Sequence, residues 1–248
     1  MNDTQSPSTV SLERLVPNTL DDSDATGKET LALHMERYRF AAGFVKGGRV
    51  LDCACGVGYG TAILAEAEQT PEQVLGVDID AAAVRYAARS YTSERVRFLQ
   101  SDGCQLEDSD GFDTIVSLET VEHVPDPSAL LQNFKRLLRP GGMLIASVPV
   151  TPSVDVNPYH LHDFTPKSFR SLGADLGMKE MDLLFQVQPF SPFKIVRGEE
   201  ARLEDMRKNM AGYYLRNPAA FSKRLVSTIV DGFCNKYLTI AWVKPVSA

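Results

Sequence analysis

The amino-acid sequence predicts an α/β protein built on a doubly wound, mostly parallel sheet of seven strands, with a helical segment ahead of the sheet and a helical insertion before its last strand. Three observations carry that reading. Short apolar runs alternate with segments of helical spacing as far as Val148, which is the rhythm of βαβ units. The first run, Val50–Cys53, breaks into a turn with Gly56, Gly58 and Gly60 before entering a helix. Acids stand where later runs end, at Asp78, Asp102 and Glu119, on the side of such a sheet where ligands bind.

Composition narrows the class further. A chain of 248 residues with 44% hydrophobic content can bury one sizeable core, as a single elaborated globular domain. No apolar run reaches the length of a membrane span, and the N-terminus lacks the basic start and apolar stretch of a signal peptide. Residence in the cytoplasm is the expectation. The cysteines Cys53, Cys55, Cys104 and Cys234 form no CxxC pair, so free thiols are expected. A net charge of −6 argues against a nucleic-acid duplex as partner, since phosphate binding needs a basic face.

Residues 1–27 are polar and rich in Ser, Thr, Asp and Pro. A helix is expected from Thr26, with Leu31, Leu33, Met35, Tyr38, Ala41, Ala42 and Val45 as its apolar face and Gly47-Gly48 as its stop. After the Val50–Cys53 strand and the glycine turn comes a helix over 61–68. Val74–Asp78 is the second strand, Ala81–Ser90 an alanine-rich helix, Val96–Leu99 the third strand and Phe112–Ser117 the fourth. Asp126-Pro127 starts a helix with Leu130, Leu131, Phe134, Leu137 and Leu138 on one face. Pro140-Gly141-Gly142 is expected to end it before the strand Met143–Val148. A polar loop over 151–164 follows, then a helix over 167–176, a sixth strand at Met181–Gln188 and a seventh at Leu238–Val243. The insertion lies at about 190–232. Leu203, Met206, Met210 and Tyr213 are spaced as one helix face, and Asn217-Pro218 opens a further helix. Lys194–Arg224 is net basic, either as a solvated face or to meet an anionic group of a substrate.

The glycine turn admits two readings on its own. Asp78 lies at the distance of the ribose-binding acid in dinucleotide folds, but Thr61 stands where that fingerprint needs its third glycine. The pattern Asp52-x-Ala54-x-Gly56-x-Gly58 instead resembles the first motif of class I S-adenosylmethionine-dependent methyltransferases, an acid followed by alternating glycines, with Ala54 replacing the first glycine. The likeness continues in Val77-Asp78-Ile79-Asp80, in Asp102-Gly103, in Phe112–Ser117, in Glu122-His123-Val124-Pro125-Asp126-Pro127 and in Leu138-Arg139-Pro140-Gly141-Gly142. It covers residues 48–150, with looser similarity outside.

The resemblance implies a Rossmann-like methyltransferase domain over 46–248, preceded by a polar arm and lid helix over 1–45. It implies S-adenosyl-L-methionine as cofactor and S-adenosyl-L-homocysteine as product. Tyr38, Asp52, Ala54, Gly56, Gly58, Asp78, Ile79, Asp102, Gly103, Leu118 and Glu119 fall at the positions that would bind it. Asp78 would accept from the ribose hydroxyls and Asp102 from the adenine amino group. The segments His34-x-x-Arg37-Tyr38 and Asn157-Pro158-Tyr159-His160-x-His162-x-Phe164 look like bacterial methyltransferases of glycan and natural-product pathways. The alternative for the first is a helix packing by Tyr38 and Phe40 with its charges in water.

Methyl transfer is a direct displacement on a sulfonium, so positioning supplies much of the rate. A sugar alcohol needs a base or a metal, whereas a neutral amine needs alignment only. The histidines His123, His160 and His162 are the catalytic candidates. If Glu119–His123 starts a helix, Glu119, Glu122 and His123 share a face and resemble the metal-binding motif of small-RNA 2′-O-methyltransferases. A divalent ion such as Mg²⁺, with His160 or His162 as a further ligand, is then an option. The bland reading leaves Glu119 beside the cofactor and Glu122 in a local pair. The expected activity is methylation of a small-molecule acceptor, on a hydroxyl of a sugar, a glycosylated metabolite or a phenol. An N-methyltransferase and a non-catalytic cofactor-binding regulator stay open. The chain is expected to act as monomer or homodimer, without nucleic acid and without a membrane span.

Overall fold

A computed structural model describes residues 25–190 and 207–246. Seven strands form one sheet in the order β3-β2-β1-β4-β5-β7-β6. They are β1 Arg49–Cys53, β2 Gln73–Asp78, β3 Val96–Gln100, β4 Phe112–Leu118, β5 Leu138–Pro149, β6 Lys179–Pro189 and β7 Cys234–Val243. β1 to β5 pair in parallel, and β7 runs antiparallel to both β5 and β6. The central strands β1 and β4 are almost continuously buried, as strands covered on both faces must be. α1 (Ala25–Ala42) and α2 (Tyr59–Ala65) cover one face around Tyr38, Leu64 and Val50. α4 (Pro127–Leu137) and α5 (Pro166–Asp175) cover the other around Leu130, Phe134, Phe169 and Trp242. α3 (Ala81–Tyr91) joins β2 to β3.

The helix starts follow from their capping residues. Asp80 accepts from the Ala82 and Ala83 amides at α3, Asp126 from Ala129 at α4, and Thr165 forms a capping box with Ser168 at α5. Each cap stabilises its helix by about 1 kcal/mol.

Three expectations change. α1 stops at Ala42, because the chain tightens there through Phe44 N to Ala41 O and Val45 N to Ala42 O bonds. Gly47 and Gly48 belong instead to the turn into β1, where a Cβ on Gly48 would lie 2.1 Å from the Asp113 carboxylate. Pro140-Gly141-Gly142 does not separate helix from strand; it bulges within β5, between the pairs Phe112–Leu138 and Thr114–Met143. Residues 119–123 form a bend and turn, not a helix. The insertion contains α6 (Met210–Arg216) and α7 (Pro218–Asp231), while Leu203 and Met206 lie outside the described residues. Asn217 sits at the N-cap of α7, yet its side chain donates back to the Tyr213 carbonyl.

Candidate cofactor and acceptor site

A cavity of about 960 Å³ opens beyond the carboxyl ends of β1, β2, β4 and β5 and extends under the loop after β5 and the insertion. That is room for a nucleoside-sized ligand and a second small molecule.

The β1 turn forms its floor. The Cys55 amide donates to the Val77 carbonyl, and the Gly56 amide donates to Asp78 Oδ2 at 2.9 Å. The other Asp78 oxygen accepts from the Asp80 amide at 2.9 Å, so the carboxylate is fixed at the cavity wall. Gly56 has φ +55°, and a Cβ there would meet nothing within 4 Å. Its lack of a side chain opens backbone to the cavity. Ala54 has φ +63°, a left-handed conformation that an L side chain resists.

Gly58 and Asp52 stand back from the cavity wall. Neither lines the cavity. A Cβ on Gly58 would lie 2.6 Å from Ala87, so this glycine serves helix packing. Asp52 is fully buried, accepting from Thr61 Oγ1 at 2.6 Å and from the Tyr38 hydroxyl at 3.2 Å. Burial pushes its carboxyl up to about 7, against the Thr61 and Tyr38 hydrogen bonds that hold it down. The Tyr38 ring occupies the space a Gly60 side chain would need. Thr61, which breaks the dinucleotide pattern, thus holds the acid in place. Tyr38, Ala54, Ile79, Asp102, Gly103, Leu118 and Glu119 line the cavity. Asp102 accepts from the Cys104 amide, and a Cβ on Gly103 would strike Cys53 Sγ.

Glu119 is held in a left-handed turn (φ +49°) by the Ser147 hydroxyl, which donates to its Oε1 at 2.7 Å. Arg37 Nη1 lies 3.1 Å from the same oxygen. Arg37 is fully buried, its Nε donating to Gln186 and its guanidinium stacked over Tyr237. The charges of α1 are therefore not all in water. Sequence reasoning placed Arg37 in a short motif but gave it no partner, because a helix pattern cannot show what a strand at the far edge of the sheet will offer it.

The other half of the cavity is built by the turn after β4 and the loop after β5. His123 and His160 meet edge to face, their ring centroids 4.6 Å apart, and both line the cavity. His123 Nδ1 lies 3.2 Å from the Tyr159 carbonyl and therefore carries the proton, which leaves Nε2 as the basic nitrogen of the neutral ring. Nε2 stands 3.9 Å from Oε1 of the buried Glu122. His160 Nδ1 bonds to Ser153 Oγ at 2.7 Å. His162 is set apart. Its Nε2 faces the Val124 carbonyl at 2.9 Å and it lines a separate hollow, so it does not reach the cavity. Because Glu119 turns towards Arg37, it leaves the expected metal trio; the ligand atoms that gather within 4.8 Å of one another belong to Glu122, His123 and His160.

The insertion is clamped to this loop through Asp155. Arg224 grips both its oxygens, at 2.6 and 2.9 Å, and the Tyr214 hydroxyl donates at 2.6 Å. Burial pushes the Asp155 carboxyl up, but the Arg224 and Tyr214 hydrogen bonds outweigh it and the group lies below its ordinary range. Arg207 donates to the Val154 and Asp155 carbonyls. These contacts account for two of the basic residues expected to be solvated or to meet a substrate anion. The only signal for them in the sequence was the charge bias itself.

The comparisons with known proteins agree with this geometry. Residues 51–146 match the family described as methyltransferase domain. A probable S-adenosylmethionine-dependent methyltransferase of Mycolicibacterium smegmatis is 28% identical over 157 residues, covering 61% of this chain and 60% of the relative. A ubiquinone biosynthesis O-methyltransferase of Alkalilimnicola ehrlichii is 38% identical over 121 residues, 46% and 47% of the two chains. The chain thus spans about half the length of these curated relatives. The solved N-methyltransferase NodS of Bradyrhizobium japonicum, in complex with S-adenosyl-L-homocysteine, shares the fold with a TM-score of 0.59 at 15% identity, over 90% of each chain. With this sheet order, this glycine turn and this match, residues 51–146 belong to a methyltransferase domain of the class I, S-adenosylmethionine-dependent kind.

Proposed function

We propose that the protein transfers the methyl group of S-adenosylmethionine to a hydroxyl of a small-molecule acceptor. The observation that carries this reading is His123, which lines the cavity with its Nδ1 held by the Tyr159 carbonyl, so that Nε2 is the nitrogen able to take a proton. On the cofactor side, Asp78 takes the ribose hydroxyls, the edge at Asp102 and Gly103 takes the adenine, and the backbone at Ala54 and Gly56 takes the methionine part. Tyr38 closes that end from α1, which acts as the lid. S-adenosylmethionine would supply the methyl group and leave as S-adenosylhomocysteine, and His123 Nε2 would take the proton of the acceptor hydroxyl as its oxygen is methylated. Glu122, 3.9 Å away, stabilises the imidazolium that forms.

A sugar or glycosylated metabolite is the first acceptor class and a phenol the second, the latter supported by the relative named for ubiquinone biosynthesis. The test is His123→Ala. It should lower kcat by about 10²–10⁴-fold while calorimetric binding of S-adenosylhomocysteine is unchanged. An unaltered kcat would turn the reading towards an amine acceptor. Cofactor binding without turnover on any acceptor would leave a regulatory cofactor-binding protein.

A second reading concerns the Glu122–His123–His160 cluster. One buried carboxylate and two imidazoles form a donor set suited to a divalent cation, and the Tyr159 carbonyl behind His123 is the outer partner that metal-bound imidazoles commonly have. An ion there would supply Lewis-acid polarisation of the acceptor oxygen. Full activity after exhaustive chelation, with Glu122→Ala unimpaired, would remove it.

A further inference from the structure

α7 is turned inside out. None of its residues is buried, and the side facing the cavity is polar: Arg224, Ser227 and Thr228 line it. Successive helix positions rotate by about 100°, which places Leu225, Val226, Ile229 and Val230 on the opposite, outward arc. All four are exposed, Ile229 and Val230 each at 74%, and exposed Phe233, which lines the cavity, follows two residues past the helix. A soluble helix normally shows the reverse arrangement, and a contiguous apolar face of this kind marks an interaction site.

The charge around it points to the partner. Between Arg207 and Lys236 six basic residues stand against one acid, Asp231, in a chain whose net charge is −6. Arg207 and Arg224 turn inwards to the loop after β5, and Lys236 pairs with Asp231. Lys208 and Arg216 are exposed, and Lys223 on α7 is exposed while pairing with Asp163 at 3.5 Å. The other exposed apolar stripe, Met181, Leu183, Phe185 and Val187 on β6, is flanked by Glu180 and Asp182 and lacks such a setting. An apolar helix face with a basic margin is the signature of a segment that lies in the interface of an anionic lipid layer.

We propose that the insertion docks on an anionic lipid surface through the outward face of α7. Docked in this way, exposed Phe233, which lines the cavity two residues past α7, stands close to the lipid, so the acceptor is a molecule carrying an apolar chain. That last step rests on the methyl-transfer reading; the docking itself does not.

The experiment uses the full chain and sucrose-loaded vesicles of phosphatidylcholine, with or without phosphatidylglycerol. The protein should sediment with the anionic vesicles and not with the neutral ones, and less so as salt is raised. The double variant I229D/V230D should lose at least about tenfold in vesicle affinity while binding S-adenosylhomocysteine as the parent does. Three results overturn the proposal: no sedimentation of the parent, sedimentation equal in parent and variant, or a dimer in ultracentrifugation that the variant dissociates without any vesicle binding, which would assign the face to a second copy of the chain. Methyl transfer to a water-soluble acceptor, measured in parallel, reports on the function itself, so the two ideas fail separately.

Discussion

Ala54 and Asp52 sit at the end of β1 and are strained in different ways. Ala54 holds a left-handed backbone at φ +63°, which costs an L residue about 1–2 kcal/mol. Glycine would remove that cost while gaining about 0.4–1 kcal/mol of freedom in the unfolded chain. Ala54→Gly should therefore stabilise the protein by roughly 0.5–1 kcal/mol, read as a higher urea midpoint; a lower midpoint would show that the methyl group packs well enough to offset the strain. Asp52 is a matter of charge. Its folded pKa of about 7 lies above the ordinary 3.8, so folding favours the protonated acid. Its contribution is fully present below the ordinary carboxyl range and is lost as pH rises towards about 7. The neutral Asp52→Asn variant should gain in melting temperature relative to the parent as pH goes from about 5 to about 8. A difference independent of pH would mean that Asp52 ionises as readily in the folded chain as in the unfolded one.

At the scale of elements, the insertion and the loop after β5 behave as one unit through Asp155. Removing its cationic partner leaves a buried carboxylate without an ion pair, so Arg224→Ala should cost roughly 2 kcal/mol or more, with hydrogen exchange quickening in residues 151–164 ahead of the sheet. Equal protection in that loop would mean that Arg207 and Tyr214 hold the clamp without Arg224. Elements were legible where one physical rule decided them. Asp80, Asp126 and Thr165 announce their helices because a cap is a local event. β6 was legible as a strand but not in its facing: Gln186 and Gln188 are buried against α1 while Phe185 and Val187 are exposed, the opposite of what alternating hydrophobicity suggests. The reason is long-range, since Arg37 and Thr30 from α1 supply the polar partners. The helical start expected at Glu119 failed for a similar reason. Ser147 on β5 and Arg37 on α1 draw that carboxylate into a bend, and no neighbouring residue in the sequence reports on either.

For the molecule as a whole, the alternation of strands and helices, and the place of Gly56, Asp78 and Glu119 beyond strand ends, were readable because glycines, acids and apolar runs recur at fixed intervals along the chain. The half of the cavity around His123 was not, because His123, His160, Tyr214 and Arg224 come from separate segments that only the fold unites. A ligand that binds the folded state raises stability by mass action. S-adenosylhomocysteine at a hundred times its Kd should add about 2.7 kcal/mol, a rise of about 5–10 °C in Tm for a chain of this size, and NAD should add nothing. A comparable rise with NAD would overturn the cofactor assignment. The antiparallel placement of β7 between β5 and β6 has one more consequence. β6 ends and β7 begins at the cavity rim, where Pro189 pairs with Cys234. Any length of chain spliced between them starts and finishes at the cavity rim without disturbing strand register. Descent could therefore exchange the segment over this end of the cavity while inheriting the rest of the sheet intact, and a laboratory graft at the same two residues could follow the same route.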